Sequence, residues 1–594
     1  MFAKIPQKVL DPSLRASEIA DEKNRYAWDY SWPPGTATPV ALKKSDEWSL
    51  KYILRVTGLN LQIIANQDKL SRQVVEGVLD HAALIESFKA VRSFAGMVEK
   101  FFAAGTSFAE HASKIRPDDM DDYADYFQLI ETPAVTKHLA ERPEDEDVIF
   151  AWQRIAGANP MMVRQIARLP DHFPVTETHF ARAGAAAGAD APTDTLAASL
   201  AEGRALLADY ALLDGAGGGV NLGRQKYVTA PLALFVMDPP GASTRRLRPI
   251  AIQVTQKPSA QSPVLTPADG WRWRMAKMAV QAADGSTHEA YYHLGQTHLA
   301  VGVMMASMFN TLHKTHPVRL LLVPHCQFTL AINNSAKNSL IAREGIVDRV
   351  VGLDIDSTAA AVTQSVMEYL LPEMSPAKQL AGRGLLDTSA LPEIPYRDDS
   401  LPVWGAIRDF VGEYVALYFA DDAEVQSDAE LRAWFVEMGS QEGGRMNGLR
   451  HPSGIEELAE WVATIIFTAT VQHAVVNFGQ FAFMADPRVM PGALWAPAVT
   501  ADTPDTREAL AAMLPPWDAA ILTADTVYQL SSVRENKLGG YTPLDFRDKA
   551  ARKIVRKFQR ALVAIEAESV ERDADRLLTF PFARPSLVPN SVHI

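Results

Sequence analysis

His288-Glu-Ala-Tyr-Tyr-His293-Leu-Gly-Gln-Thr-His298 sets three imidazoles at steps of five inside a proline-free segment, residues 273–309. Imidazole is the commonest protein ligand for iron, zinc and copper, so three of them in eleven residues point to a metal. The step is awkward for an ordinary helix. Each α-helical residue turns by about 100°, so side chains five apart diverge by roughly 140° and cannot share an ion. A π-type turn, closed by i→i+5 bonds, would return them to one face. Taken alone, the stretch favours the plainer reading of a His-rich core helix, because buried polar groups usually have ordinary hydrogen-bond partners.

The rest of the chain narrows the classes. It has 594 residues, 47% hydrophobic and 22% charged, which suits a soluble globular protein with ample core. A net charge of −13 argues against nucleic acid, whose phosphates need a basic face. The single cysteine, Cys326, cannot form an internal disulfide and suits a reducing compartment. The N-terminus lacks the apolar run of a signal peptide, and no stretch of about twenty uninterrupted apolar residues occurs, so a cytoplasmic protein with no transmembrane segment is expected.

In chain order, residues 1–45 are polar and proline-marked, an arm laid over a larger body. Leu50, Ile53, Leu54, Val56 and Leu61, then Val74 to Phe102, repeat with helical spacing. These N-terminal helices are expected to pack on the core, with peripheral lipid contact as the lesser reading. Acids cluster at 118–125 as a solvated turn, and residues 150–180 read as helix then loop, broken at Asn159-Pro160. Residues 182–192, rich in Ala and Gly, read as a flexible connection, followed by a helix through Leu213. The glycine run 215–219 lacks the Lys-Ser/Thr of a phosphate loop and has no preceding buried strand in this reading. Two apolar runs, 232–237 and 249–254, form a hairpin, and from Trp271 nearly everything reads as helix. Near the end, His473 and Asn477 stand four apart on one helical face, so both could address one ion.

With these pieces in place the chain resembles the lipoxygenases. The likeness runs from Trp152-Gln-Arg-Ile-Ala-Gly-Ala-Asn-Pro160 to Ile594. It is carried by Trp273 and Lys277, the His-x4-His-x4-His run, His316-Pro, Pro324-His325, Ala331-Ile-Asn333, Tyr396-Arg-Asp-Asp399 with Trp404, His473-Ala-Val-Val-Asn477-Phe-Gly-Gln480, and the Pro-Asn-Ser-Val-x-Ile ending. The resemblance implies a mainly α fold: a large helical catalytic domain, residues 131–594, with a small β-hairpin subregion, preceded by a helical extension, residues 1–130. Nothing in residues 1–130 alternates with period two, so the N-terminal β-barrel of many members is not expected, as in the bacterial members.

The resemblance also implies the site. One non-haem iron, with manganese less favoured, would be held by His293, His298, His473, Asn477 and the carboxylate of Ile594, leaving a coordination position open. His288, Glu289 and Gln480 would stand behind these ligands. Leu340, Val347 and Leu530 would line the pocket. Ala336, four residues before Leu340, would border the site of oxygenation and direct it to S products. Arg488 is a candidate anchor for a fatty-acid carboxylate, weighed against an ordinary exposed arginine. The implied reaction is dioxygenation of linoleate-like or arachidonate-like acids by dioxygen, begun by a ferric hydroxide at the bis-allylic carbon, in a monomer.

Two departures from the family pattern stand out. Many members carry Gln where this chain has Glu289, and an ionised Glu cannot donate the hydrogen bond that would orient Asn477. His593 replaces a small penultimate residue and is expected to face solvent. The competing functions are a hydroperoxide isomerase on the same scaffold and a catalytically silent lipid-binding protein.

Overall fold

Two long apolar helices form the axis of the fold, and each changes pitch where its histidines lie. In the computed structural model, which describes residues 3–22, 25–74, 117, 119–186, 194–242 and 244–594, the first runs α-helical over Gly270–Thr287. It widens to a π-helix over His288–Leu299 and resumes as α-helix over Ala300–Thr311. Every residue from Met275 to Thr287 is buried. Its polar members are satisfied inside: Lys277 donates to Glu146 at 2.7 Å, Gln281 to Gln153 at 2.7 Å, and Asp284 accepts from Asn159 at 2.9 Å. The wider turn exposes carbonyls that neighbours satisfy: Ser365 Oγ donates to Tyr291 O at 2.6 Å and Thr297 Oγ1 to His293 O at 2.6 Å. Helix Ile355–Met367 approaches so closely that a Cβ on Gly295 would lie 2.5 Å from Ser365 Oγ.

The second axis helix comprises Ile455–Phe467, a π-helical turn at Thr468–Gln472, and α-helix over His473–Phe478 and Gln480–Met484. Its length and apolarity would suffice to cross a bilayer, but its most apolar stretch is wholly buried, as in a core helix. Helix Pro395–Val415 packs between this axis and Lys549–Asp573, with Phe410 stacked on Phe558 at 4.7 Å.

Strands are few among the described residues. β1 (Trp28–Asp29) pairs with β2 (Thr38–Pro39). β3 (Arg164–Gln165) and β4 (Ala205–Asp209) open a four-stranded antiparallel sheet, and β5 (Val220–Asn221) pairs with β6 (Arg224–Gln225). β7 (Leu232–Met237) and β8 (Leu247–Gln253) complete the larger sheet in the order β3-β4-β7-β8. The β7–β8 pair is the hairpin expected from sequence.

β4 corrects the helix read through Leu213. Helix Leu196–Ala201 ends before Gly203, whose φ of +70° breaks it, and the apolar run that follows is a strand. Leu206 and Ala208 enter the main core while Ala205 and Leu207 enter a second cluster with Phe173 and Phe180. Burial on both faces removes the alternation that would have marked a strand. A buried strand therefore does precede the glycine run. The flexible connection is also corrected in part, because helix Glu177–Ala186 continues through it; residues 187–193 lie outside the described residues.

One buried cluster runs from Ile5 through Tyr52 and Val56 to Ile594, so the described N-terminal residues pack on the same core. The apolar positions expected from Val78 to Phe102 lie outside the described residues. The acidic turn is partly engaged rather than free: Asp119 caps the 3-10 helix Met120–Tyr126 and pairs with Arg507 at 2.5 Å.

Candidate metal centre and the cavity beside it

The π-helix settles the spacing difficulty. His293 and His298, five apart, point to the same place, with their Nε2 atoms 3.2 Å apart. His473 arrives from the second axis helix, and one ring nitrogen from each of the three lies within 4.8 Å of the others. All three rings are buried.

Each of the first two rings is held by its other nitrogen. His298 Nδ1 donates to Asn333 Oδ1 at 3.0 Å, while Asn333 Nδ2 donates to the His298 carbonyl at 2.7 Å. Gly302 makes room for that amide, since a Cβ there would lie 2.6 Å from Asn333 Nδ2. His293 Nδ1 donates to Glu289 Oε2 at 3.2 Å. A carboxylate behind an imidazole fixes its tautomer and raises its basicity toward a metal. Neither nitrogen of His473 has a side-chain hydrogen-bond partner among the described residues, although both are buried; the group that faces the ring is the backbone of Ile594.

Electrostatics keeps the cluster neutral. Burial, reinforced by the neighbouring His293, draws His298 down to about 3. Burial also lowers His293, and it lowers His473 strongly with help from the two other rings. Neutral imidazoles with converging lone pairs and a buried ring that no side chain satisfies fit a cation. Glu289 behaves differently. Burial would raise its carboxyl, but the His288 and His293 rings hold it well below the carboxylate range.

His288 turns away from this cluster. Its Nε2 donates to Val476 O at 2.7 Å, and its Nδ1 stands 3.3 Å from Glu289. Burial opposes its charged form, but the Glu289 carboxylate overrides that and raises its pKa. Asn477 is buried beside the cluster: its Nδ2 donates to Leu530 O at 2.8 Å and its Oδ1 accepts from Gln480 Nε2 at 3.2 Å. Gln480, and not residue 289, is therefore the side chain that orients Asn477, so the substitution at 289 bears on His293 instead.

The end of the chain is fixed. Ile594 is 3% exposed, and its backbone faces His473 closely enough to favour the charged ring. His593 is fully buried, which corrects the solvent-facing expectation. Its Nε2 accepts from Glu535 N at 3.2 Å and its carbonyl accepts from Tyr52 OH at 2.7 Å. His325 Nδ1 donates to Asn590 O at 2.6 Å and Ser591 Oγ to Gln327 O at 2.9 Å. Sequence reasoning quoted Asn333 and His325 only as motif letters and passed over Tyr52. Spacing carries no sign of which carbonyl a side chain will meet.

An apolar cavity opens beside the rings, lined by Ala336, Leu340, Val347 and Leu530 together with His293, His298, Gln480 and Ile594. It holds about 820 Å³ of unfilled space counting its mouth, but only about 70 Å³ is open to the centre of a water molecule. The space is thus a narrow slot. Ala336 to Leu340 form a further π-helical turn, with Ala336 buried and Leu340 half-buried. No lysine or arginine is among the lining residues. Arg488 is not brought there: its guanidinium pairs with Asp486 at 2.7 Å and with Asp121 at 3.3 Å.

Comparison with known proteins agrees with this geometry. The lipoxygenase family model matches residues 62–580. The linoleate 9/13-lipoxygenase of Pseudomonas aeruginosa is 33% identical over 501 residues, covering 80% of this chain and 70% of that protein. The human hydroperoxide isomerase ALOXE3 is 32% identical over 486 residues, covering 80% of this chain and 65% of that protein. Among solved structures, an anaerobic crystal structure of a LOX deletion variant in complex with arachidonate superposes with a TM-score of 0.84 at 26% identity, covering 100% of this chain and 84% of the other.

Proposed function

Because this chain belongs to the lipoxygenase family, oxidoreductases that incorporate dioxygen, we propose that it converts polyunsaturated fatty acids of the linoleate and arachidonate class to S-hydroperoxides at one non-haem iron. The observation that carries the reading is the juxtaposition of three buried, neutral imidazoles with a narrow apolar slot. His293, His298, His473, Asn477 and the Ile594 carboxylate would hold the iron. Iron held there would supply one-electron chemistry toward a weak bis-allylic C–H bond.

The protein's own residues supply the rest. Asn333 and Glu289 hold protons on the Nδ1 atoms of His298 and His293 and so keep each Nε2 free as a donor. The slot's aliphatic walls exclude water from a reactive carbon centre. Leu340 and Leu530 would flank the pentadiene, and the Ala336 methyl would close space over one of its ends, leaving dioxygen the other. The overall reaction adds one dioxygen to one fatty acid, the hydrogen lost from carbon reappearing on the peroxide.

The test is chiral product analysis after incubation with linoleate and arachidonate, alongside metal analysis of the purified protein. An S-hydroperoxide with about one iron per chain is expected. The similarity to a named hydroperoxide isomerase favours one second reading, conversion of hydroperoxides on the same site. Anaerobic incubation with a fatty-acid hydroperoxide separates the two.

A further inference from the structure

The glycine run that is not a phosphate loop has a different role in the structure. Residues 217–219 lie against 352–354 as extended backbone: Asp354 N donates to Gly217 O at 2.9 Å and Gly219 N to Gly352 O at 3.0 Å. No side chain fits there. A Cβ on Gly217 would lie 2.0 Å from Asp354 Oδ2, and one on Gly218 would lie 2.5 Å from the Lys226 carbonyl. A Cβ on Gly219 would sit 2.9 Å from both Cε and Nζ of Lys226. Gly219 thus clears a passage for one lysine side chain, while Gly217 and Gly218 let the two backbones close on each other.

That lysine is fully buried. Lys226 Nζ donates to the carbonyl of Asp348 at 2.6 Å and to that of Val351. These carbonyls lie at the C-terminal end of the short helix Ile346–Val350, where backbone acceptors lack helical partners and a cation is favoured. Val347, Val350 and Val351 of the same segment line the cavity. Gly492, also in the lining, accepts from Gly352 N at 3.0 Å, so the supporting layer reaches the cavity floor directly.

We propose that Lys226 is a positioning residue that pins this cavity wall from behind and thereby helps select which carbon of the acyl chain reaches the histidines. The assignment rests on the fatty-acid reading of the slot given above. Burying an ammonium is costly when its partners are carbonyls. Among the described residues no carboxylate lies within ion-pair distance of Nζ; those of Asp348 and Asp354 accept from Glu344 N and Ser357 N. Burial draws the lysine down to about 8, despite the favourable field of those two acids. An apolar side chain would fill the passage at less cost, so the charge is retained for what it holds. The wall it holds is a five-residue helix, too short to keep its place by its own hydrogen bonds.

The experiment compares Lys226→Met, which keeps the stem and loses the donors, with Gly219→Ala, which keeps the lysine and crowds it off the carbonyls. The readouts are the affinity for stearate, a saturated acid that cannot react, the ratio of positional and chiral hydroperoxide isomers, and iron per chain. Both variants should bind stearate several-fold more weakly and show a several-fold larger share of minor isomers at unchanged iron content. The double variant should do no more than Lys226→Met alone, because both remove one contact. Wild-type stearate affinity and isomer ratio in folded Lys226→Met would overturn the assignment. Should that variant fail to fold, the same null result in Gly219→Ala overturns it. Absence of any hydroperoxide from the wild type would refute the enzymatic reading alone, with the stearate arm still deciding the lysine.

Discussion

The Nε2 atoms of His293 and His298 face each other across 3.2 Å because the helix that carries them is wound in π pitch. An α-helical turn would have set the rings roughly 140° apart. With Nδ1 protons held by Asn333 and Glu289, the pairing sets two lone pairs face to face, which a shared ion would relieve. His298→Ala or His473→Ala should therefore abolish bound iron, since each leaves the three-imidazole group one donor short. Metal analysis of the folded variants checks this, and stoichiometric iron in either would refute the ligand assignment.

Glu289→Gln should weaken iron binding by about tenfold while leaving the fold intact, because the carboxylate is the acceptor that holds the proton on His293 Nδ1. A glutamine offers one oxygen where His288 and His293 both present Nδ1. Competition with a chelator measures the loss. Unchanged affinity would refute the role of the carboxylate, because the nearest other group to that nitrogen, Gln480 Nε2 at 3.5 Å, is a donor and cannot accept its proton.

Deleting Ile594, or appending a short tag after it, should cost iron and turnover without loss of helical circular dichroism. The tail up to His593 is locked by Tyr52, His325 and Glu535, so the terminal carboxylate cannot be replaced by slack in the chain. A C-terminally tagged protein with full turnover contradicts this.

Ala336→Gly should divert a measurable share of product to R configuration at the other pentadiene terminus. Ala336 is 3% exposed and lines the slot with Leu340. Loss of a helical methyl alone would cost about 1 kcal/mol and leave stereochemistry unmoved. Chiral chromatography of both proteins' products distinguishes the outcomes.

Asp525 should make stability fall as pH rises from about 4 to about 7. It is buried on the helix that carries Leu530, and its partners are the neutral Tyr126 OH, at 2.7 Å, and Gln67. Burial raises its carboxyl to about 7, against the pull of those two donors. A raised carboxyl binds its proton more tightly in the folded state, so its contribution is complete below the unfolded value of about 4 and is lost as pH rises through about 7. Asp525→Asn should flatten the fall in Tm between about pH 4 and about pH 7, read by thermal scans in matched buffers. An equally steep fall in the variant would exclude Asp525 as its origin.

Local sequence determined a good deal. Helical periodicity, the β7–β8 hairpin and the i, i+4 pair His473 and Asn477 are properties of neighbouring residues, and short-range physics reads them. The five-residue histidine step raises a π turn as one arrangement that would bring the rings together, although the stretch taken alone favours an ordinary His-rich core helix. Resemblance then named residues that spacing alone could not choose between.

Tertiary structure decided the rest. β4 is buried on both faces, so its sequence lost the alternation that marks a strand. His593 reads as a polar tail residue, yet Tyr52 and Glu535, remote in sequence, bury it. Arg488 is a free cation on paper and is engaged by Asp486 and Asp121 in space. Glu289 reads as a flaw in one network and proves to be the acceptor in another. In each case the deciding partner is set by packing of distant segments, and a linear pattern carries no record of which distant group will close on which.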